Sequence, residues 1–378
     1  MNILQISFHT APMNSLGVND GGGLNVYVEA ISKELAKDHT VHVITGEKAK
    51  NINKKNLKLT SFNLFSNQEN IHEKKKYLDE FINQTLQYVK EHNIHVIHAH
   101  YWLSGLVAKK IKETNKIPFV FTSHSLGIFL QENNLERISY EKEIFSAASK
   151  ITASSKYEKD NLLNRYSVNP LNIENITPGI NNKIFKMYKG EKKKNRILSV
   201  GRIQEQKGQL QILDLFKNLQ YRINDLELFF VGGPSGVDGE AYLTKIKNKI
   251  EDLQLENDIQ FLGSLSQKKL AKLMRKSKLL VHSAEHETFG LVAVEAHRSG
   301  LPVISINQGP FKEIITNDKD GLITQSFESI QAYDFIIKLF ENSNFESELA
   351  KNAVQSSSRF NWETATKNLK KIYKDIVI

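Results

Sequence analysis

The stretch that decides the fold is His282 to Ile304, HSAEHETFGLVAVEAHRSGLPVI. A short apolar run, Lys278-Leu279-Leu280-Val281, precedes it and reads as a strand. Glu287 then falls in a polar turn, a helical pattern opens at Phe289-Gly290, and Glu295 lies inside that pattern. The pattern stops at Ser299-Gly300, and Pro302 introduces another strand-like run, Val303 to Ile306. A helix from about Gly290 puts Leu291, Val294 and Arg298 on one side and turns Val292, Glu295 and Ser299 away. Strand, loop and helix form one unit of an open α/β sheet, and the loop after the strand is where such sheets bind ligands. Two carboxylates therefore stand at or near a binding mouth.

The same unit recurs outward from this stretch. Ile197 to Val200 leads to Gly201-Arg202, and Lys207-Gly208 precedes a helical Leu210 to Phe216. An arginine with paired donors and a lysine with a mobile charge, both beside a helix start, can grip a pyrophosphate; an exposed basic loop has the same spacing. Leu226 to Val231 ends at Gly232-Gly233-Pro234, and Ile259 to Leu262 runs into Gly263. Near the N-terminus, Asn2 to Phe8 reads as a strand, three glycines end at Gly23, and a helical pattern spans Leu24 to Leu35. Glycines there admit an anion to the free amides of the helix start, although a sharp turn without a ligand also explains them. Neither the dinucleotide fingerprint nor a lysine-bearing P-loop is present.

Further strands are read at Thr40 to Thr45, Leu57 to Leu64, His95 to His100, Pro118 to Thr122 and Lys150 to Ser154, with a helix from about Lys74 to Val89. His98 and His100 share one face of their strand, yet no third ligand lies at metal-site spacing. Arg137 and Glu141 have the spacing of an ion pair along a helix. Ser154-Ser155 with Glu158 marks a helix start. Asp318-Lys319-Asp320 is followed by Gly321 and reads as a turn, so no metal is assigned.

At 378 residues the chain exceeds the usual size of one core, which predicts two domains. Lys and Arg number 51 against 42 Asp and Glu, a net charge of +9 that favours anionic partners or surfaces. The lysines lie scattered on polar faces without interleaved aromatics, so no nucleic acid is expected. There is no cysteine, which removes disulfides and thiolate chemistry. No leader is read at MNILQISFHTAPM and no apolar run is long enough to span a bilayer, so a cytoplasmic protein is expected, with peripheral membrane contact left open.

Four ordered motifs carry a resemblance: Asp20-Gly21-Gly22-Gly23-Leu24-Asn25-Val26-Tyr27-Val28, His98-Ala99-His100-Tyr101-Trp102-Leu103-Ser104-Gly105, Gly201-Arg202 with Lys207-Gly208, and Glu287 with Glu295 in an E-x7-E pattern. Over nearly its whole length the chain resembles the retaining, nucleotide-sugar-dependent glycosyltransferases of family 4, the group that includes sucrose-phosphate synthases and the mycothiol-pathway glycosyltransferase. The resemblance implies the GT-B fold, α/β with two Rossmann-like domains facing each other across a cleft. It implies domains over 1–185 and 197–362, a linker over 186–196, and a C-terminal helix of about 363–378 that rejoins the first domain. Gly22 and Gly23 would lie against the donor diphosphate, Arg202 and Lys207 would clamp it, and Glu295 would accept from the donor ribose. Glu287 would hold a sugar hydroxyl, helped by the backbone of Thr288, Phe289, Gly290 and Leu291, with His124 beside the transferred sugar. Asn25, His100, Tyr101, Trp102, Ser125 and Arg137 would face the acceptor. Ile128-Phe129-Leu130 replaces the polar, lysine-containing continuation of relatives, and Gln308 stands where many have a glycine before Gly309.

The reaction so implied moves glucose or N-acetylglucosamine from a nucleoside diphosphate, uridine diphosphate foremost, to a hydroxyl of a small sugar, polyol or cyclitol. Retention, no tightly bound cofactor, no metal, and a monomer or homodimer are expected. Two carboxylates also suit a glycoside hydrolase, but hydrolysis needs no cationic grip on a leaving group. The rivals are a lipid-linked acceptor, a nucleotide-sugar epimerase of the same fold, a phosphorylase of related architecture, and a non-catalytic nucleotide-binding scaffold.

Overall fold

The structure is a computed structural model that describes residues 1–13, 22–130, 134–188, 193–236 and 238–377. Asp20 and Gly21 of the glycine motif lie outside the described residues. The chain divides into two compact units, one running to Gly179 and taking the chain back at Trp362, the other holding Ile180–Asn361.

The first unit is built on β1 (Asn2–Ile6), α1 (Gly23–Leu35), β2 (Thr40–Glu47), β3 (Ile52–Lys54), β4 (Leu57–Phe65), α2 (Ile71–Lys75) and α3 (Leu78–His92). It continues through β5 (Val96–His100), α4 (Trp102–Asn115), β6 (Phe119–Thr122), α5 (Leu135–Ala147), β7 (Lys150–Ala153), α6 (Lys156–Tyr166) and β8 (Ile173–Asn175). Its sheet has the order β3-β4-β2-β1-β5-β6-β7-β8, parallel throughout except for the β3–β4 pair. The central strands are buried on both faces, which is why they read as unbroken apolar runs rather than alternating ones. A Cβ on Gly105 would sit 2.8 Å from Ile144 and Phe121, so only glycine lets α4 settle against the sheet and α5.

The second unit comprises β9 (Arg196–Val200), α7 (Leu210–Gln220), β10 (Glu227–Val231), α8 (Gly239–Asp252), β11 (Ile259–Phe261) and α9 (Gln267–Arg275). Then come β12 (Leu279–His282), α10 (Leu291–Arg298), β13 (Val303–Ile306), β14 (Gly321–Thr324), α11 (Ile330–Glu341) and α12 (Ser343–Ser357). Its all-parallel sheet runs β11-β10-β9-β12-β13-β14, the order in which strand succession reverses beside the first strand. That switch point, between β9 and β12, is where a doubly wound sheet opens a crevice. The last helix, α13 (Trp362–Ile376), returns to the first unit: Tyr373 is fully buried with its hydroxyl 2.6 Å from His98 Nδ1, and Trp362 packs edge-on to Tyr27.

Three local expectations differ from what the chain does. The helix expected over Lys74 to Val89 is two helices, because Asn70 caps a short α2 through a reciprocal bond with Glu73 and the turn at Lys76-Tyr77 starts α3 afresh. The boundary expected after residue 185 falls at Gly179-Ile180, since Ile180 and Phe185 pack into the core of the second unit. Helix α10 has no solvent side along its middle: Ala293, Val294, Glu295, Ala296 and His297 are all buried. No helix among the described residues is long and apolar enough to cross a membrane.

Candidate active site

In the second unit the β9 and β12 loops meet. After β9 the chain makes a short turn over Glu205–Lys207 and then passes Gly208 at φ +63°, where a Cβ would lie 2.5 Å from the Ser283 carbonyl oxygen. Ser283 Oγ in turn donates to the Lys207 carbonyl at 2.6 Å, so the loop after β12 holds the loop after β9 in register. The result is an ion pair between Lys207 Nζ and Glu287 Oε1, with His282 Nε2 3.7 Å from the same oxygen. Burial would raise the Glu287 carboxyl, but the Lys207 charge, followed by His282 and Arg202, outweighs it and holds the carboxyl below its usual range. Burial drives the His282 imidazole down to about 4, so it stays neutral. Arg202 is exposed, and among the described residues no partner engages its guanidinium.

Gly290 starts α10 at φ +87°, with Phe311 where a Cβ would go, and no side chain caps the helix. The Ala293 amide donates to the Gly290 carbonyl at 3.0 Å, and the first two amides of α10, those of Leu291 and Val292, have no partner among the described residues and stay available to an anion. Phe289 faces inward, edge-on to Phe360, so only backbone from this turn can address a ligand. Gly309 approaches the Glu287 backbone, its Cβ direction 3.7 Å from that residue's N and O atoms. Glu295 is 6% exposed, and its carboxylate accepts no hydrogen bond from any described residue, while its main-chain carbonyl accepts from Ser299 N; burial alone pushes the carboxyl up to about 8. A buried carboxyl left without a donor is costly and asks for a hydroxyl or amide from outside the fold.

In the first unit the ends of β1, β5 and β6 gather a histidine cluster. His100 is fully buried, bonded at Nε2 to Gln5 Oε1 (2.6 Å) and at Nδ1 to His124 Nε2 (3.0 Å). Tyr27 stands edge-on to both rings. His98 bridges Tyr373 and Thr122 at 2.6 and 2.7 Å. Burial lowers His98 and His100 well below the usual imidazole range, and burial followed by the nearby His9 takes His124 to about 3. All three are neutral donors and acceptors at neutral pH. His124 adopts φ +58° and Tyr101 φ +75°, unusual for side-chain-bearing residues and a mark of loops held for a purpose.

The residues expected at the acceptor divide into those this cluster brings together and those it does not. Arg137 donates from Nε to Glu141 (2.8 Å), from Nη1 to the Tyr101 hydroxyl (3.2 Å), and from Nη2 to the carbonyl and hydroxyl of Ser125 (2.8 and 2.9 Å). Glu141 also accepts from Gly127 N and Tyr166 Oη, so the pair braces the turn after β6. Arg137 is thus a loop anchor, 6% exposed, with most of its donors spent. Trp102 stacks on Tyr140 inside the core, and His100 supports His124 from behind; neither is an open wall. Asn25 Nδ2 donates to Thr10 Oγ1 at 2.9 Å, tying the first turn of α1 to the loop after β1, while its buried Oδ1 has no partner. Gly22 and Gly23 begin α1, which no side chain caps among the described residues. Gln5 is not singled out in the sequence, its one signal being its polarity within the first apolar run, and Tyr27 and His282 stand inside the quoted motifs without a role. Among the described residues no group of three His, Asp or Glu side chains could hold a metal.

Comparison with known proteins follows the same division. The model for Glycosyltransferase Family 4 matches residues 21–183, and that for glycosyl transferases group 1 matches residues 181–356. The chain is 27% identical to the D-inositol 3-phosphate glycosyltransferase of Corynebacterium kroppenstedtii, over 99% of this chain and 90% of that one. It is 28% identical to the enzyme of that name from Frankia alni, over 97% of each. Among solved structures it superposes on a sucrose-phosphate synthase from Thermosynechococcus elongatus with a TM-score of 0.88, 23% identity, and coverage of 99% of this chain and 98% of that one.

Proposed function

We infer, for a chain that belongs to the GT-B glycosyltransferases of family 4, that it moves a glucosyl or N-acetylglucosaminyl group from uridine diphosphate to a hydroxyl of a small polyol, sugar or cyclitol, with retention of configuration and without a metal. The observation that carries this reading is the pairing, at the switch point of the second sheet, of a Lys207–Glu287 ion pair with the buried, unpartnered Glu295. The relatives' name supports the acceptor class, since they act on an inositol phosphate.

In this reading the exposed Arg202 fork, Lys207 Nζ and the free amides of α10 take the charge that builds on the departing diphosphate, the service that a metal performs elsewhere. Glu287, kept ionised by Lys207, accepts a hydrogen bond from a sugar hydroxyl away from the anomeric carbon. Glu295 accepts from the ribose hydroxyls. His124, neutral and seated on His100, orients the sugar by hydrogen bonding, because it is too weak a base to carry a proton through the reaction. No carboxylate is assigned as nucleophile, so the acceptor hydroxyl attacks from the face that the diphosphate leaves: its oxygen bonds to the anomeric carbon as the bond to the diphosphate breaks, and its proton passes to the departing diphosphate oxygen. Gly22 and Gly23 lie against the donor diphosphate, and Asn25, Tyr101 and Ser125 complete the acceptor side, with Arg137 holding Tyr101 and Ser125 in place.

The test is a mass-spectrometric screen of UDP-glucose and UDP-N-acetylglucosamine against inositols, inositol phosphates and hexose phosphates, with and without EDTA, followed by proton NMR of the anomeric signal. An α-glycoside whose yield is unaffected by EDTA is expected. Turnover of donor with no acceptor present, or failure to bind any sugar nucleotide, would overturn the assignment.

A further inference from the structure

Helix α9, sequence QKKLAKLMR, buries Leu270, Ala271 and Met274 against the second core. At 100° per residue those three mark one side of the helix, and Lys268, Lys269, Lys272, Arg275 and the capping Lys276 occupy an arc of about 120° on the other. None of these nine helical residues is acidic, whereas every other α-helix carries at least one carboxylate. Among the described residues no ion pair reaches Lys268, Lys269, Lys272 or Lys276. Such an arrangement is unfavourable by itself, since like charges one turn apart repel and, among the described residues, no acid pairs with these four lysines.

Tyr188 and Lys194, which precede β9, border this face. The Lys194 amide donates to the Lys276 carbonyl at 3.0 Å. Tyr188, 46% exposed, lies 4.6 Å from the Arg275 guanidinium and 5.1 Å from Lys186 Nζ, and its neighbour Met187 is 37% exposed. The nearby Glu227 does not neutralise the patch, because its carboxylate is held by Arg196 at 2.6 Å, with Lys194 at 4.0 Å. A convex face of cations bordered by an exposed tyrosine matches one partner chemistry.

We propose that this face docks on an anionic lipid bilayer. The lysines meet the phosphate headgroups, and Tyr188 enters the boundary layer, where an amphipathic ring is at home. The apolar stripe of α9 is committed to the core, so the helix adsorbs without inserting and the contact is reversible. Nucleic acid fits less well: the face is a convex helix surface, with neither a groove to track a backbone nor open rings on which bases stack. The proposal uses only the second unit's surface and is independent of the donor and acceptor assigned above.

The test is co-sedimentation of the full chain with vesicles of phosphatidylglycerol and phosphatidylcholine in equal parts, against phosphatidylcholine alone, at about 0.1 M salt. Binding to the anionic vesicles only is expected, and raising the salt to about 0.5 M should release the protein. Each cation at such a surface is worth about fivefold in partitioning, so Lys268→Gln/Lys269→Gln/Lys272→Gln is expected to lose about 100-fold. Tyr188→Ser should lose several-fold more from the same starting point. The matching control, Lys367→Gln/Lys371→Gln/Lys374→Gln on α13, removes the same charge elsewhere and is expected to bind like the parent. Melting temperatures of all variants, with substitutions confined to exposed side chains, establish that they fold. No binding to anionic vesicles, equal losses from the α9 and α13 variants, or capture by duplex RNA in preference to vesicles would each overturn the proposal.

Discussion

Lowering the pH from 8.5 to 6 is expected to weaken donor binding through one group, Glu295. In the free protein burial lifts this carboxyl from 4.5 to about 8, so at pH 7 it is mostly protonated. Ribose hydroxyls that donate to it favour the charged form, and the bound carboxyl returns toward its ordinary range. Binding then releases a proton wherever the pH lies between the two values, and the apparent affinity rises tenfold per pH unit until about 8, then levels off. Working from that value, affinity for UDP-glucose is expected to be about 10-fold weaker at pH 7 than on the plateau and about 100-fold weaker at pH 6. UDP-glucose is the right probe because its diphosphate has no proton to lose in this window, and Glu287 and His282 are both shifted below it. Isothermal titration in two buffers of different ionisation enthalpy counts the proton directly, near one at pH 6.5 and falling to about a quarter at pH 8.5. The linked effect on folding has the opposite sense. A carboxyl raised in the folded state stabilises most below its unfolded value, and that contribution is lost as the pH climbs through about 8, a span worth at most about 5 kcal/mol. Glu295→Gln should therefore melt higher than the parent at pH 8 while binding donor weakly and without pH dependence. A flat affinity profile with no proton released, or a Glu295→Gln protein that keeps the parent profile, would refute the reasoning.

Lys207→Ala removes both a diphosphate ligand and the counter-charge of Glu287; kcat is expected to fall about 100-fold or more, with the melting temperature reduced by the unpaired carboxylate and partly restored in Lys207→Ala/Glu287→Gln. Gly290→Ala forces a Cβ toward Phe311 at a backbone angle of φ +87°, and chemical denaturation is expected to show a loss of about 1–3 kcal/mol. Arg137→Ala strips a buried carboxylate, Glu141, of its partner and should cost about 3–5 kcal/mol, whereas Arg137→Ala/Glu141→Gln should recover much of it. If acceptor KM in the double variant matched the parent, Arg137 would have no part in holding Tyr101 and Ser125 for catalysis.

Much of this molecule is readable in its sequence because parallel sheets advertise themselves. A strand buried on both faces has nothing polar to alternate with, and a ligand-binding loop needs glycine where the backbone turns left-handed, as at Gly208 and Gly290. What escaped reading is whatever depends on a distant partner. Nothing local separates the fully buried Lys74 from Lys75 and Lys76 beside it; the difference comes from segments distant in the chain, among them the Phe65 ring, 5.8 Å from its ammonium. Arg137 and Glu141 do form the ion pair their spacing implies, but the hydroxyls of Tyr101, Ser125 and Tyr166 that turn the pair into a loop brace come from three other segments. His100 occupies a motif position and yet supports His124 rather than facing outward, because Gln5 of another strand claims its far nitrogen. The basic stretch of 186–196 looked like a tether by composition, while Ile180 and Phe185 just before it were already committed to the second core.

The return of α13 to the first unit has a consequence for how the protein is made. The hydroxyl that satisfies the buried His98 belongs to Tyr373, 275 residues later, and the ring that packs on Tyr27 belongs to Trp362. A ribosome therefore releases the whole second unit before it delivers the segment that finishes the first. During translation the N-terminal half waits with an open seam along α1, and the second half, which needs nothing from beyond Asn361, is free to fold ahead of it. Here order of synthesis and order of completion run in opposite directions. A stop codon a few residues early would spare the half made last and cripple the half made first.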